Sequence, residues 1–311
     1  MVELPEPEPG PGQLLIEIHA AGMNPMDRAI AGGDWEARGM HATFPLVMGC
    51  DLEGVVAAAA GTTRWAPGDG VFGQLIVVPL GSAGTYAERV VVEEDAPRVT
   101  LARVPEGLAP TVAAALPTVG GTALDLTERV EPLADKTVLI VGAAVGVGSM
   151  VTQLAAQAGA TVIAVARAAA APRLRGYGAA DTIDHTAVFV PAAVRERYPD
   201  GIDVLLDSAS DAPAFATLAG LVRHGGTALT TRYVAEIDTL ATAGVTGINF
   251  ALNNSPDLLA RVGDEVLAGR LVPPPITEVA FDDAPAVLSP AHQAARDGKS
   301  VIVIGPPGGR T

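Results

Sequence analysis

The chain has one cysteine, little positive charge and no long apolar run, and each scarcity removes a class of function. A single thiol, Cys50, excludes an internal disulfide and any zinc or iron–sulfur site built from several thiolates. A metal would have to rely on histidines and carboxylates, and the five histidines, at 19, 41, 185, 224 and 292, are scattered without ligand spacing. Lys and Arg total 20 against 35 Asp and Glu, a formal charge of −15. No basic cluster offsets that balance, so nucleic acid and anionic membrane surfaces are not expected as partners. No apolar stretch reaches the roughly 18 residues of a spanning helix, and the N-terminus lacks the basic and apolar regions of a signal peptide. A cytoplasmic protein is therefore expected.

What the chain does have is core-forming material: 49% of its residues are apolar and 18% charged. A length of 311 residues predicts two lobes of roughly 100 to 200 residues each. Over the first hundred residues, short apolar runs such as Leu14-Leu15-Ile16, Val55-Val56, Val71-Phe72 and Val90-Val91-Val92 are separated by Gly, Pro and Asp turns. That pattern predicts a small, irregular β-barrel. After Pro110 the character changes: Thr111 to Arg129 carries Ala- and Leu-rich helical spacing interrupted by Gly120-Gly121, and a domain junction is expected there. From Lys136 strands and helices alternate, which predicts a parallel, doubly wound sheet. The reading counts six strands and places five: Thr137–Val141, Thr161–Ala166, Ile202–Leu206, Gly226–Thr230 and Val245–Phe250, with helices over Gly148–Ala158 and Ala214–Arg223. The predicted class is α/β, with domains over 1–112 and 113–251. Residues 252–311 are expected to return to the first lobe through a helix over Pro256–Ala268 and strands near Val279 and Ser300–Ile304.

The most informative segment runs from Thr137 to Met150, Thr-Val-Leu-Ile-Val-Gly-Ala-Ala-Val-Gly-Val-Gly-Ser-Met: a buried strand, a tight small-residue turn and a helix start. Free amides at a helix N-terminus, aided by the helix dipole, attract a diphosphate, and small residues let its oxygens approach the backbone. Gly142, Ala143, Val145, Gly146, Val147 and Gly148 are the predicted contacts, with Gly142, Gly146 and Gly148 foremost. A tight turn that binds nothing is the bland alternative. A site for NADH would place an acid at the end of the second strand to hold the ribose 2′-hydroxyl. Arg167 stands there instead, and Arg173 lies near enough in sequence to assist, so the expected cofactor is NADPH, its extra phosphate paired with arginine. A solvated surface charge is the other reading of Arg167.

The chain resembles the medium-chain dehydrogenase/reductase superfamily, specifically its zinc-independent quinone oxidoreductase and enoyl reductase branch. The resemblance rests on Ala21-Gly-Met-Asn-Pro-Met-Asp27, Phe44-Pro-Leu-Val-Met-Gly-Cys-Asp51, Pro67-Gly-Asp-Gly-Val-Phe-Gly73, Gly84-Thr-Tyr-Ala-Glu88, Leu116 to Ala123, the glycine turn, Gly201-Ile-Asp-Val-Leu-Leu-Asp207 and Gly225-Gly226. It implies a GroES-like β-barrel catalytic domain, a Rossmann cofactor domain, a cleft between them and self-association as a homodimer through the Rossmann sheet edge. Zinc-dependent relatives place a metal-binding cysteine where Asn24 stands and a histidine where Cys50 stands, so zinc is not expected. By the resemblance Asn24 and Thr122 line the nicotinamide end of the cleft, with Asn249 and Asn253 near it. Asn24 before Pro25 also reads as a turn cap and Thr122 as a helix cap. Asp27 reads as a local hydrogen-bonding group and Cys50 as a small buried hydrophobe.

Three departures from the family pattern stand out. Val145 replaces the middle glycine of the turn; a β-branched residue resists positive φ, so a reshaped loop or weaker cofactor binding is expected. Trp35 occupies the position where enoyl reductases carry a tyrosine proton donor, and an indole N–H cannot donate a proton at useful pH. The protonating group is left open among His41, Tyr86 and water. The chain also begins about one strand pair later than family members, so a barrel edge that is incomplete or covered by a partner is expected. The leading expectation is hydride transfer from NADPH to a quinone or to the activated double bond of an enone or enoyl substrate, without zinc. A specialised biosynthetic enzyme using the same cleft and a non-catalytic NADPH-binding protein are the alternatives.

Overall fold

The computed structural model describes residues 2–34, 39, 41–62, 64–76, 80–81, 83–289 and 298–305. In chain order, β1 (Gln13–Gly22), α1 (Pro25–Ala31), β2 (Asp51–Ala60), β3 (Gly70–Leu75), β4 (Arg89–Glu93) and β5 (Val99–Arg103) precede the helix α2 (Pro110–Glu128). Next come β6 (Thr137–Val141), α3 (Gly146–Gln157), β7 (Thr161–Ala166), α4 (Ala171–Gly176), β8 (Asp181–Asp184), α5 (Val190–Arg197), β9 (Ile202–Asp207), α6 (Ala212–Ala219), β10 (Val222–Thr230), α7 (Ile237–Thr242) and β11 (Thr246–Asn249). The chain ends with α8 (Pro256–Leu267), β12 (Ile276–Ala280), α9 (Ala284–Leu288) and β13 (Lys299–Val303). Two units emerge, Met1–Gly121 with Asn254–Thr311, and Thr122–Asn253. The division between the units falls inside α2, which runs on through Gly120 and Gly121 without the interruption expected there.

In the first unit the sheet runs β12-β13-β1-β2-β3-β5, with β4 also paired to β1. Its pairings are antiparallel except that β12 and β13 run parallel. Its core gathers Leu14, Ile16, Ile18, Leu52, Val71, Val90, Leu101 and Ile302. Strand register sets Gly22 opposite Asp51 on one side and Val301 on the other. The ends of β1, β2 and β13 thus bring residues 24, 51 and 299 together.

The second unit is a six-stranded parallel sheet, β11-β10-β9-β6-β7-β8. All six residues of β9 are buried, as expected of a strand covered on both faces. From β6 the chain first builds outward through β7 and β8, then returns to lay β9, β10 and β11 on the other side. The switch point where ligands bind in such sheets therefore lies at the carboxyl ends of β6 and β9. The sixth strand, which has no place in the sequence-based assignment, is β8; its short segment Asp-Thr-Ile-Asp carries no apolar run. The predicted helix 214–223 is shorter in the structure: α6 stops before Gly220, and Val222 already pairs with Ile202 of β9. Among the described residues, no helix is long and apolar enough to cross a membrane.

Candidate functional site

The glycine turn comes directly after β6, whose last four residues are buried. Gly142 has φ 81°, a left-handed conformation, and a Cβ there would stand 2.7 Å from Ser208 Oγ. At Gly148 a Cβ would meet the Gly142 carbonyl oxygen at 2.2 Å, so only glycine lets α3 close against the strand. Val145 occupies the position before α3 and offers no side-chain acceptor. The first-turn amides, from Gly146 through Gly148, come too early in the helix for an intrahelical partner, and among the described residues the position before it gives no side-chain cap, an arrangement suited to an anion. The strain expected at Val145 does not arise: its φ is −84° and ψ 173°, ordinary extended backbone, and its side chain is 41% exposed. The left-handed residue in this turn is Gly142, so a β-branched side chain is accommodated at 145. Ala143 is buried and its amide donates to the Val165 carbonyl (3.2 Å), while Val147 is half-buried.

Arg167 is exposed directly beyond β7. Arg173, half-buried in α4, donates from Nη2 to the Ala144 carbonyl at 3.3 Å and so braces the turn from the same side. Asp184, which pairs with Ala166 across the sheet, is engaged by the Ala168 amide and by both the amide and hydroxyl of Thr186. Thr122 lies well inside α2 and is buried, so it is not a helix cap. Asn249 is engaged at both ends of its amide: Oδ1 accepts from the Ala235 N–H and Nδ2 donates to the Ala235 carbonyl, each at 3.0 Å. Asn253 is exposed, its backbone amide donating to Asp125 at 2.8 Å. Trp35 lies outside the described residues.

In the first unit, Asn24 precedes α1 with its backbone N–H donating to Asp27 Oδ2 at 2.6 Å. Its side chain belongs to a buried polar cluster. Asn24 Nδ2 donates to Asp51 Oδ2 (2.9 Å) and Cys50 Sγ (3.2 Å), and Asn24 Oδ1 accepts from Lys299 Nζ (2.5 Å). Lys299 also donates to Asp51 Oδ2 at 3.1 Å, and both side chains are almost wholly buried. Thr118 donates to Asp51 Oδ1 (2.6 Å) and accepts from Gln74, whose Oε1 accepts in turn from Asn254. Cys50 is buried as expected, and its sulfur accepts from Asn24 Nδ2 at 3.2 Å; burial, then Asp51, push its thiol well above the usual range. Asp27 makes the local bond expected of it and a second one, from Tyr86 OH at 2.8 Å. Burial drives its carboxyl up to about 6 against those two donors. Tyr86 is held protonated by burial and by Asp27, and its hydroxyl is already committed to that carboxyl. His41 is exposed.

Zinc does not fit the residues at Asn24 and Cys50. An amide replaces a thiolate, the thiol is held neutral, and the Lys299 ammonium already sits between Asn24 and Asp51, where a divalent cation would meet a buried positive charge. Among the described residues no group of three potential ligands converges elsewhere. Lys299, Asp51, Thr118 and Gln74 are members of this cluster that the sequence alone does not single out. The available signal was a lysine at the mouth of an otherwise apolar strand, Ser-Val-Ile-Val-Ile.

Residues 10–106 match the family described as alcohol dehydrogenase GroES-like domain, and residues 146–236 the family described as zinc-binding dehydrogenase. The chain is similar to NAD(P)H oxidoreductase RTN4IP1, mitochondrial, of Bos taurus, 29% identical over 94% of this chain and 82% of that protein. It is similar also to 2-methylene-furan-3-one reductase of Solanum lycopersicum, 29% identical over 93% of this chain and 71% of that protein. In fold it matches the quinone oxidoreductase from Coxiella burnetii with a TM-score of 0.84, at 24% identity, covering 97% of this chain and 94% of that one. A GroES-like domain joined to a Rossmann domain, matched to these relatives over nearly its whole length, places the chain in the medium-chain dehydrogenase/reductase superfamily, within its quinone oxidoreductase and enoyl reductase branch.

Proposed function

We propose that this protein is an NADPH-dependent, zinc-independent reductase that acts on a quinone or on the activated double bond of an enone or enoyl substrate. The observation that carries the reading is an open glycine turn beside an arginine, not an acid, at the end of the next strand. The uncapped amides of Gly146 to Gly148 receive the diphosphate, and Arg167 pairs with the 2′-phosphate while Arg173 holds the turn in place. When bound, NADPH supplies the hydride. A quinone or enone delocalises incoming charge onto its own oxygen, so hydrogen-bond donors serve where a simple ketone would call for a Lewis acid. Within the first unit, Lys299 and Asp51 hold the Asn24 side chain in a preset orientation. The relatives' names, an NAD(P)H oxidoreductase and a furanone reductase, agree with this chemistry.

The test is NADPH consumption, tracked by nicotinamide absorbance, across quinones, α,β-unsaturated ketones and aldehydes, and enoyl thioesters, with and without a strong zinc chelator. Turnover of at least one class, unaffected by chelation, is expected. Tight NADPH binding without turnover of any class would reduce the protein to a cofactor-binding role, and chelator-sensitive turnover would overturn the metal-free reading.

A further inference from the structure

Asp207 ends β9 and is 1% exposed. Its Oδ1 accepts from the amides of Ala209 (2.8 Å) and Ser210 (2.9 Å), which fixes the carboxylate in a tight turn. Its Oδ2 is buried and has no hydrogen-bond partner among the described residues. A carboxylate oxygen left without a donor is unfavourable, so its persistence calls for a donor supplied from outside the chain. The residue lines a small hollow together with Ser208, Val141, Val147 and Gly148, and so shares its surface with the glycine turn.

The position in the sheet says which donor. β6 lies between β7 and β9, and Asp207 pairs directly with Val141, the last residue before the turn. A dinucleotide whose diphosphate rests on that turn and whose phosphorylated ribose reaches Arg167 beyond β7 must send its other half the opposite way, across the end of β9, one strand spacing of about 4.8 Å from β6. Phosphate oxygens offer a carboxylate no donor and repel it, whereas ribose hydroxyls are neutral donors. We propose that Asp207 Oδ2 accepts a hydrogen bond from a hydroxyl of the ribose on the nicotinamide side of the cofactor, a contact that fixes where the nicotinamide half lies. The proposal rests on the reading that NADPH occupies the glycine turn.

Asp207→Asn tests it, because asparagine keeps the oxygen that receives the two amides and replaces the free one with a donor. Calorimetric titration of wild type and variant uses three probes: NADPH, 2′-phospho-ADP-ribose, which keeps the second ribose but lacks nicotinamide, and 2′,5′-ADP, which lacks both. The expected result is affinity lowered by about tenfold or more for the first two probes, the scale of a hydrogen bond to a charged acceptor, with 2′,5′-ADP unchanged. The unchanged probe also certifies that the variant is folded. Equal affinity of both proteins for 2′-phospho-ADP-ribose would overturn the ribose contact, as would a loss confined to NADPH. A parallel loss for 2′,5′-ADP would make Asp207 a loop anchor and overturn the proposal too. Failure of the wild type to bind any probe would instead defeat the cofactor reading beneath it.

Discussion

Replacing Asp27 with asparagine should stabilise the protein at neutral pH and not in acid. The carboxyl titrates at about 6 in the folded chain against 3.8 when free, chiefly because it is buried. Above the folded value both states are ionised, and the folded state carries the unfavourable burial of the charge. Below the unfolded value both are protonated and that cost is gone. Between the two the folded state binds more protons, so stability falls as pH rises from 3.8 to about 6. A rise of about two pKa units corresponds to about 3 kcal/mol. Asparagine resembles the protonated acid: one oxygen still accepts from the Asn24 amide and Tyr86, and no charge is buried. The gap between variant and wild type should therefore grow by about 3 kcal/mol from the acid side of that window to the alkaline side. Urea unfolding monitored by tryptophan emission is the assay, since Trp65 belongs to the first unit. Parallel stability curves across the window would refute the assignment of a buried, strained carboxylate.

Lys299→Met removes the cationic partner of Asp51, which is 0% exposed, and should destabilise the first unit by about 3–5 kcal/mol in urea melts, with Asp51→Asn in the same chain recovering most of the loss. Gly148→Ala forces a Cβ to within 2.2 Å of the Gly142 carbonyl oxygen; a loss of about 1–3 kcal/mol in stability is expected, together with loss of calorimetric NADPH binding. Arg167→Ala should raise the Kd for NADPH by roughly tenfold or more while leaving that for NADH unchanged, and equal effects on both would remove the 2′-phosphate contact.

Much of the cofactor domain is legible in the sequence because its signals are local. Thr137–Val141 and Ile202–Asp207 are continuous apolar strands, and the glycines of the turn answer steric demands set within a few residues. Val145 departs from expectation for a local reason as well: the composition of the turn shows that a left-handed residue is required but not which position takes it, and Gly142 does. The polar cluster of the first unit is largely hidden. Lys299 meets Asn24 across 275 positions and Asp51 across 248, and nothing in the neighbourhood of any one of them signals the others. Cys50 illustrates the same limit, since its burial is set by residue type whereas its contacts with Asn24 and Thr118 come from strand register. β8 is inconspicuous because its segment has polar ends and one buried residue.

Calorimetric titration of the wild-type protein with NADPH and with NADH bears most directly on whether Gly142 to Gly148 and Arg167 form a working dinucleotide site. The expected result is saturable heat for NADPH with a Kd at least about tenfold below that for NADH, the scale set by arginine pairing with a phosphate. Tighter binding of NADH, or no heat with either nucleotide, would contradict it.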